Sequence, residues 1–302
     1  MKDSLILCTK DRCKDIKITF ESILVQTHVP NEIIVVDSSK DEKTKKYLYS
    51  LKLDNLIYIN SKPGLTYQRN VGIKQASGDV LHFIDDDVNL DKNYFQVILD
   101  TFNKSDDIGG VGGILTNRLG ENKLRHIIDN IFMLTRVDGD GIIQKSGFPA
   151  FQWRNQKHMN KVFHITEILC GIASYRKGVF ENIFFDEKLD GYGLMEDIDF
   201  SFRVSKKYIL IYNSNANVYH RATENSRINY NKLYFMYVRN TFYLYNKNIK
   251  KISPVYPFFL WGQIGILFYA IFYSIKDKSF DSIIGYFKGW LNIIKKDYEN
   301  SK

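Results

Sequence analysis

The stretch "HFIDDDVNLD", His82 to Asp91, runs an apolar segment straight into three consecutive carboxylates, Asp85, Asp86 and Asp87. With Leu81 before it, the apolar part reads as a strand leaving a core. Two like charges about 4 Å apart repel by roughly 4 kcal/mol at an effective dielectric near 20. A chain that only had to turn here had Asn, Gly or Ser at its disposal. The triplet asks for a counter-charge.

Working outward, LILC (Leu5–Cys8), EIIVVD (Glu32–Asp37), NLIYIN (Asn55–Asn60) and DVLHFID (Asp79–Asp85) repeat the same short apolar run. Helical spacing fills the gaps. Ile16, Phe20, Ile23 and Leu24 form one stripe, Tyr47, Leu48 and Leu51 a second, Val71, Ile73 and Ala76 a third. This alternation predicts an α/β fold, a mostly parallel Rossmann-like sheet flanked by helices. Ligands of such sheets bind beyond the carboxyl ends of the strands. Those ends carry Thr9, Asp11 and Arg12, then Asp37, Ser38 and Ser39, then the triplet. That edge is the expected site.

A divalent cation held by one or two carboxylates, its other positions filled by phosphate oxygens and water, is the usual way to manage a nucleotide diphosphate. The one-residue gap lets Asp85 and Asp87 enter the same crevice, while Asp86 points elsewhere, towards a ribose hydroxyl. The plainer reading makes the triplet a turn before a helix near Asp91–Phe102, with Asp91 the better cap. A second acidic cluster, Glu196, Asp197 and Asp199, follows Gly191 and Gly193 in "DGYGLMEDIDFSFRV". Acidic residues suit a first helical turn, and a carboxylate there also suits a general base. After YILIYN (Tyr208–Asn213), His220 stands at another strand end. It is either a satisfied structural histidine or the third member of an Asp/Asp/His set that Mn²⁺ would accept.

Composition bounds the rest. The chain has 302 residues, 44% hydrophobic and 25% charged, which is globular and not disordered. A net charge of +8 suits nucleic acid, an anionic membrane face or phosphorylated small molecules. No dense basic helix, zinc-finger spacing or aromatic RNP-like strand supports nucleic acid. Cys8, Cys13 and Cys170 form no CxxC pair, which predicts a reducing compartment without disulfides or structural zinc. The N-terminal apolar run is too short for a signal peptide, so the expected location is cytoplasmic.

The ordered set "CTKDR", "EIIVVDSS", "GLTYQRNVGIKQASGDVLHFIDDDV", "CGIASYRKGVF", "GYGLMEDIDFSFRV" and "VYH" resembles glycosyltransferase family 2, inverting metal-dependent enzymes of the GT-A fold. The resemblance covers roughly residues 1–225. It implies a catalytic domain there, with a nucleotide-sugar half to about residue 115 and an acceptor half after it. It further implies that Thr9 to Arg12 and Asp37 cradle the base and ribose of a nucleotide-diphosphate sugar. Arg69 and Asn70 would face the donor, Asp85 and Asp87 would hold Mn²⁺ or Mg²⁺, and Gly171 would line the sugar pocket. Asp197 of the Glu196–Asp197 pair would be the catalytic base. Arg12, Lys62 and Arg69 would attract the anionic donor. Two departures from the family pattern are Asp37 followed by serines instead of a second carboxylate, and Asp11 where Asn is common. A haloacid-dehalogenase-type phosphatase is the competing enzymatic reading, but Asn89 stands where its motif wants Thr. A non-catalytic sugar-binding scaffold is the third.

The remainder differs in kind. Residues 226–302 are expected to be a helical, membrane-associating extension. "VYPFFLWGQIGILFYAIFYSI" (Val255–Ile275) is apolar except for Gln263 and Ser274, and about 30 Å long as a helix. Lysines flank both ends, so the charge rule gives no orientation. "FDSIIGYFKGWLNIIKK" (Phe280–Lys296) has the pattern of a helix lying in the interface. The alternatives are a helical hairpin packed on the catalytic domain or a homodimer interface. "YNKLYFMYVRNTFYLYNKN" (Tyr230–Asn248) resembles a helix of members that extend bacterial surface polysaccharides, whose acceptors are commonly lipid-linked saccharides. That implies a peripheral place on the inner face of the membrane. An acceptor site is expected in the loop Arg118–His164, with Trp153 and His158.

Overall fold

A computed structural model describes residues 1–118, 123–135, 141–150, 162–221, 229–250 and 256–295. Trp153 and His158 lie outside them. The chain opens with β1 (Asp3–Thr9), α1 (Cys13–Leu24), β2 (Glu32–Asp37), α2 (Lys43–Ser50), β3 (Leu56–Asn60) and α3 (Leu65–Gln75). Next come β4 (Val80–Asp85), β5 (Val88–Leu90), α4 (Tyr94–Phe102), β6 (Ile108–Leu115), α5 (Lys123–Ile131), β7 (Ile142–Ile143) and β8 (Pro149–Ala150). Then follow β9 (Phe163–Thr166), β10 (Ala173–Arg176), α6 (Glu196–Ser205), β11 (Ile209–His220), α7 (Tyr230–Leu244), α8 (Tyr256–Lys276) and α9 (Asp281–Ile294). Two compact units result: Met1–Leu119 with Gln156–Ser226, and Gly120–Asn155 with Arg227–Lys302.

The first unit is built on a sheet ordered β3-β2-β1-β4-β10-β6-β11-β5, with β9 added to β11. The four strands expected from the sequence run parallel as β3-β2-β1-β4; the buried Leu, Ile and Val of β1, β2 and β4 explain their continuous apolar runs, while β3 at the sheet edge is half-buried. β10 enters antiparallel between β4 and β6. In register, Cys8 faces Asp85 and Thr9 faces Asp37, so the polar strand ends finish at one level. Ile16, Phe20 and Ile23 of α1 are fully buried, whereas Leu24 ends the helix exposed. α3 buries Gln68, Arg69 and Asn70 beside Ile73; its inner face is polar because it lines the strand ends. Asp91 caps nothing: α4 begins at Tyr94 after Asn93, and the Asp91 carboxylate accepts from Asn217 Nδ2 at 3.0 Å.

β6, IGGVGGIL, is buried along its whole length. A Cβ at Gly112 would meet Leu169 and the Tyr212 ring at 2.9 Å, and one at Gly110 would meet the Tyr175 ring at 2.8 Å. The missing side chains are the space that those tyrosines occupy. On the other side of β10, Phe83, Tyr175, Phe180, Phe185 and Phe200 interlock, Phe185 and Phe200 stacking at 4.2 Å.

In the second unit, α9 packs along α7 through its small residues. A Cβ at Gly289 would lie 2.7 Å from the Val238 Cβ, and one at Gly285 would strike the Asn231 carbonyl. Two glycines four apart on one face let helix backbones approach this closely. α8 is held by polar contacts: buried Gln263 donates to Thr241 Oγ1 at 2.8 Å, and Ser274 meets Ser282 at 2.8 Å.

Candidate functional site

β4 ends at Asp85, and the turn into β5 carries Asp86 and Asp87. β11 runs antiparallel to β5, pairing His220 with Val88. This brings a residue from the far end of the unit to the triplet. Ligand atoms of Asp85, Asp87 and His220 all lie within 4.8 Å of one another. His220 Nε2 is 3.4 Å from Asp87 Oδ1 and 3.8 Å from Asp85 Oδ2. Two carboxylates and an imidazole converging on one point fit a divalent cation, Mn²⁺ more readily than an all-oxygen set would.

Asp86 does not join them. It is buried, accepts from Thr9 Oγ1 at 2.6 Å and pairs with Arg12 Nη1. Burial pushes its carboxyl up to about 7, with Arg12 and Thr9 pulling back. It faces inward, held between Thr9 and Arg12. Arg12 spans the triplet, its Nη2 lying 2.8 Å from Asp87 Oδ2. Asp85 and Asp87 therefore form one centre, and the middle aspartate anchors the turn that presents them.

Arg69, expected at the donor, is buried against the Phe83 and Phe185 rings and bridges the two acidic clusters. Nη1 donates to Glu196 Oε1 at 2.6 Å, and Nη2 to Asp85 Oδ1 at 3.3 Å and to the Gly171 carbonyl at 3.1 Å. Asn70 is held by residues after β10. Its amide clamps the backbone of Phe185 and the Glu187 carboxylate. Gly171 lies over Arg69: a Cβ there would be 3.2 Å from Nη2 and 3.9 Å from Asp197 Oδ2. The expected pocket glycine thus stands between the bridge and the expected base.

α6 starts after Gly191, Gly193 and Met195, all with positive φ. That turn aims the two leading carboxylates differently. Glu196 is buried against Arg69. Asp197 is half-buried, and its Oδ1 accepts the Ile198 N–H at 2.9 Å. Burial pushes the Asp197 carboxyl up to about 6 against the pull of Arg69. Asp199 is paired with Arg203 at 2.8 Å and belongs to the helix.

At the remaining strand ends, Asp37 is fully buried, accepting from the Ser39 N–H at 2.7 Å and the Tyr58 hydroxyl at 3.1 Å. Asp11, at φ +55°, accepts from Lys40 N at 3.0 Å and donates its own N–H to Ser39 Oγ at 2.7 Å. Lys62 lies over the Tyr67 ring at 4.1 Å. Sequence reasoning missed Arg221. It donates to the Asp15 carbonyl at 2.8 Å, Thr19 Oγ1 at 3.0 Å and the Val88 carbonyl at 2.9 Å, and its N–H bonds the Asp87 carbonyl at 2.9 Å. One residue past His220, it staples β11 to α1 and the triplet turn. It also bonds Asn89, the position where a phosphatase motif would need Thr.

A half-parallel sheet with an Asp-x-Asp strand end and a carboxylate at a helix mouth beside it defines a GT-A-like fold. Residues 4–184 match the family described as Glycosyl transferase family 2, and the chain belongs to it. Among relatives, a glucosyl-dolichyl phosphate glucuronosyltransferase of Haloferax volcanii is 29% identical over 146 residues, 47% of each chain. The poly-beta-1,6-N-acetyl-D-glucosamine synthase of Staphylococcus aureus is 24% identical over 113 residues, 36% of this chain and 27% of that one. The chain thus spans about half the length of these relatives or less. S. aureus TarS 1–349 in complex with UDP-GlcNAc superposes with a TM-score of 0.54 at 18% identity, covering 81% of this chain and 66% of that one. GalNAc-T7 with UDP, GalNAc and Mn²⁺ gives 0.57 at 16% identity, covering 73% and 44%.

Proposed function

We propose that the chain transfers a hexosyl or deoxyhexosyl group from a nucleotide-diphosphate sugar to a saccharide hydroxyl, inverting the anomeric centre. The acceptor is a lipid-linked saccharide of a bacterial surface polysaccharide, met at the inner face of the cell membrane. One observation carries the reading: the Asp85–Asp87–His220 centre and the carboxylate of Asp197 flank the same Arg69–Gly171 contact. The relatives point the same way. One is named for transfer to a dolichyl-phosphate-linked sugar, another for a polysaccharide, and two neighbouring structures hold UDP or a UDP-sugar.

Asp85, Asp87 and His220 would hold Mn²⁺ or Mg²⁺, which when bound neutralises charge on a diphosphate leaving group. Thr9 to Arg12 and Asp37, at one level of the sheet, border the base and ribose end. Asp197, ionised and half-buried, takes the proton from the acceptor hydroxyl as that oxygen attacks the anomeric carbon. Arg69 fixes Glu196 and the Gly171 carbonyl, so the wall beside the base is rigid before substrate arrives.

The test is release of free nucleotide from a panel of nucleotide sugars, with Mn²⁺ or Mg²⁺ and with excess chelator. Turnover of one donor that vanishes in chelator, and in an Asp87→Ala variant that circular dichroism shows to be folded, is the expected result. Full turnover in chelator sinks the metal assignment; failure with every donor sinks the activity.

A further inference from the structure

Beside a core of Val238, Leu244, Tyr245, Phe259, Ile266 and Tyr286, three helices of the second unit also expose stripes of large apolar residues. In α9, Ser282, Gly285, Gly289 and Ile293 are buried, while Phe280, Ile284, Phe287, Leu291 and Ile294 are exposed, spaced three and four apart on one stripe. In α8, Gly262, Gln263, Gly265 and Ser274 are buried, while Trp261, Phe268 and Phe272 are exposed. α5 exposes Leu124, Ile127 and Ile131. A water-facing helix does the reverse, turning its large apolar side chains to the core.

The stripes adjoin. Trp261 Nε1 donates to the Ile131 carbonyl at 2.6 Å, and the Phe132 ring just past α5 stacks on Phe268 at 5.7 Å. α8 and α9 meet through Ser274 and Ser282. Charge is also segregated. The second unit has 17 Lys and Arg against 8 Asp and Glu, the first 25 against 26. The chain's positive excess therefore belongs wholly to the unit with the apolar stripes, where Lys288 and Lys295 stand exposed beside those of α9.

We infer that α5, α8 and α9 form a seat for an anionic lipid bilayer, entered in the plane of its interface and not crossed. Apolar side chains between flexible ammonium groups match an acyl boundary beneath anionic headgroups. α8, with 21 residues, is long and apolar enough to span. Two features hold it in the unit. The side-chain amide of Gln263 donates to Thr241, its backbone carbonyl accepts from the Tyr286 hydroxyl, and 39% of the most apolar stretch of α8 is already buried. Crossing would leave that amide unpaired in hydrocarbon. The inference deepens the membrane part of the proposed function and is independent of donor chemistry.

The test sediments the full chain with phosphatidylcholine vesicles, with and without phosphatidylglycerol. Expected are binding to the anionic vesicles, weakening in high salt, and release by an alkaline carbonate wash. Phe287→Ser/Leu291→Ser and Ile127→Ser should each bind at least about tenfold more weakly, each lost side chain forfeiting its share of buried apolar area. Tyr49→Ser, exposed on the first unit, should bind as wild type. Circular dichroism melting establishes that each variant is folded. Failure of the wild type to bind, or full binding by both folded stripe variants, overturns the seat. Retention after carbonate means α8 crosses. A lipid-free dimer that the stripe variants convert to monomer assigns the face to a second copy instead. Nucleotide release on the same preparations reports on the transferase reading separately.

Discussion

Asp197 is the residue on which the proposed chemistry turns. It must be ionised to accept a proton, and burial places its titration near 6. kcat/KM of the wild type should therefore climb through about pH 6 and level above it. Asp197→Asn should remove that limb and lower kcat by roughly two to four orders of magnitude, with donor affinity little changed. Calorimetry with nucleotide and a pH–rate series check both; normal turnover moves the role to another group. Arg69→Met tests the bridge. It strands the buried Glu196 carboxylate, and losing one partner of a buried pair costs about 3–5 kcal/mol. A denaturation midpoint equal to wild type would show the pair to be dispensable. At this scale the sequence marked chemistry better than direction. Asp85, Asp87 and His220 were legible because strand ends present alternate residues to one crevice. The aims of Asp86, Arg69 and Asn70 depend on Thr9, Glu196 and Phe185, partners from other segments that no local pattern names.

Among the elements, β1, β2 and β4 were legible because Ile, Val and Leu buried on both faces leave an unmistakable run. β6 was not, since four of its eight residues are glycine and its apolar character resides in Tyr175 and Tyr212 opposite. α9 declared only its apolar stripe. Its pattern was that of an interfacial helix, while the glycine face that locks it to α7 has no signature in hydrophobicity. Gly289→Leu should lower stability by about 1–3 kcal/mol, the cost of overpacking a close helix crossing, and be read as a shifted thermal midpoint. An unchanged midpoint would mean that α7 and α9 part without cost.

For the whole molecule, a single cut between a catalytic domain and a tail does not follow the compact units, because Gly120–Asn155 groups with the C-terminal helices. Gly262 packs against Phe148, and Gly265 against Phe132 and Leu134. Deleting everything after residue 250 should therefore strip cover from Phe132 and Phe148. The shortened chain should aggregate or bind a hydrophobic dye even if it still binds nucleotide. A monodisperse, dye-silent product would show the units to be separable by that cut.

The same interleaving orders events at the ribosome. Residues 123–150 emerge well before α8, whose glycines receive their aromatic rings, and the whole Gln156–Ser226 part of the first unit is synthesised in between. On stalled nascent chains, the Phe132–Phe148 segment should stay protease-sensitive until α8 has cleared the exit tunnel, and become resistant only then. The nascent chain would finish its catalytic sheet first and gain its grip on lipid later, so that attachment to a membrane waits for α8 and α9.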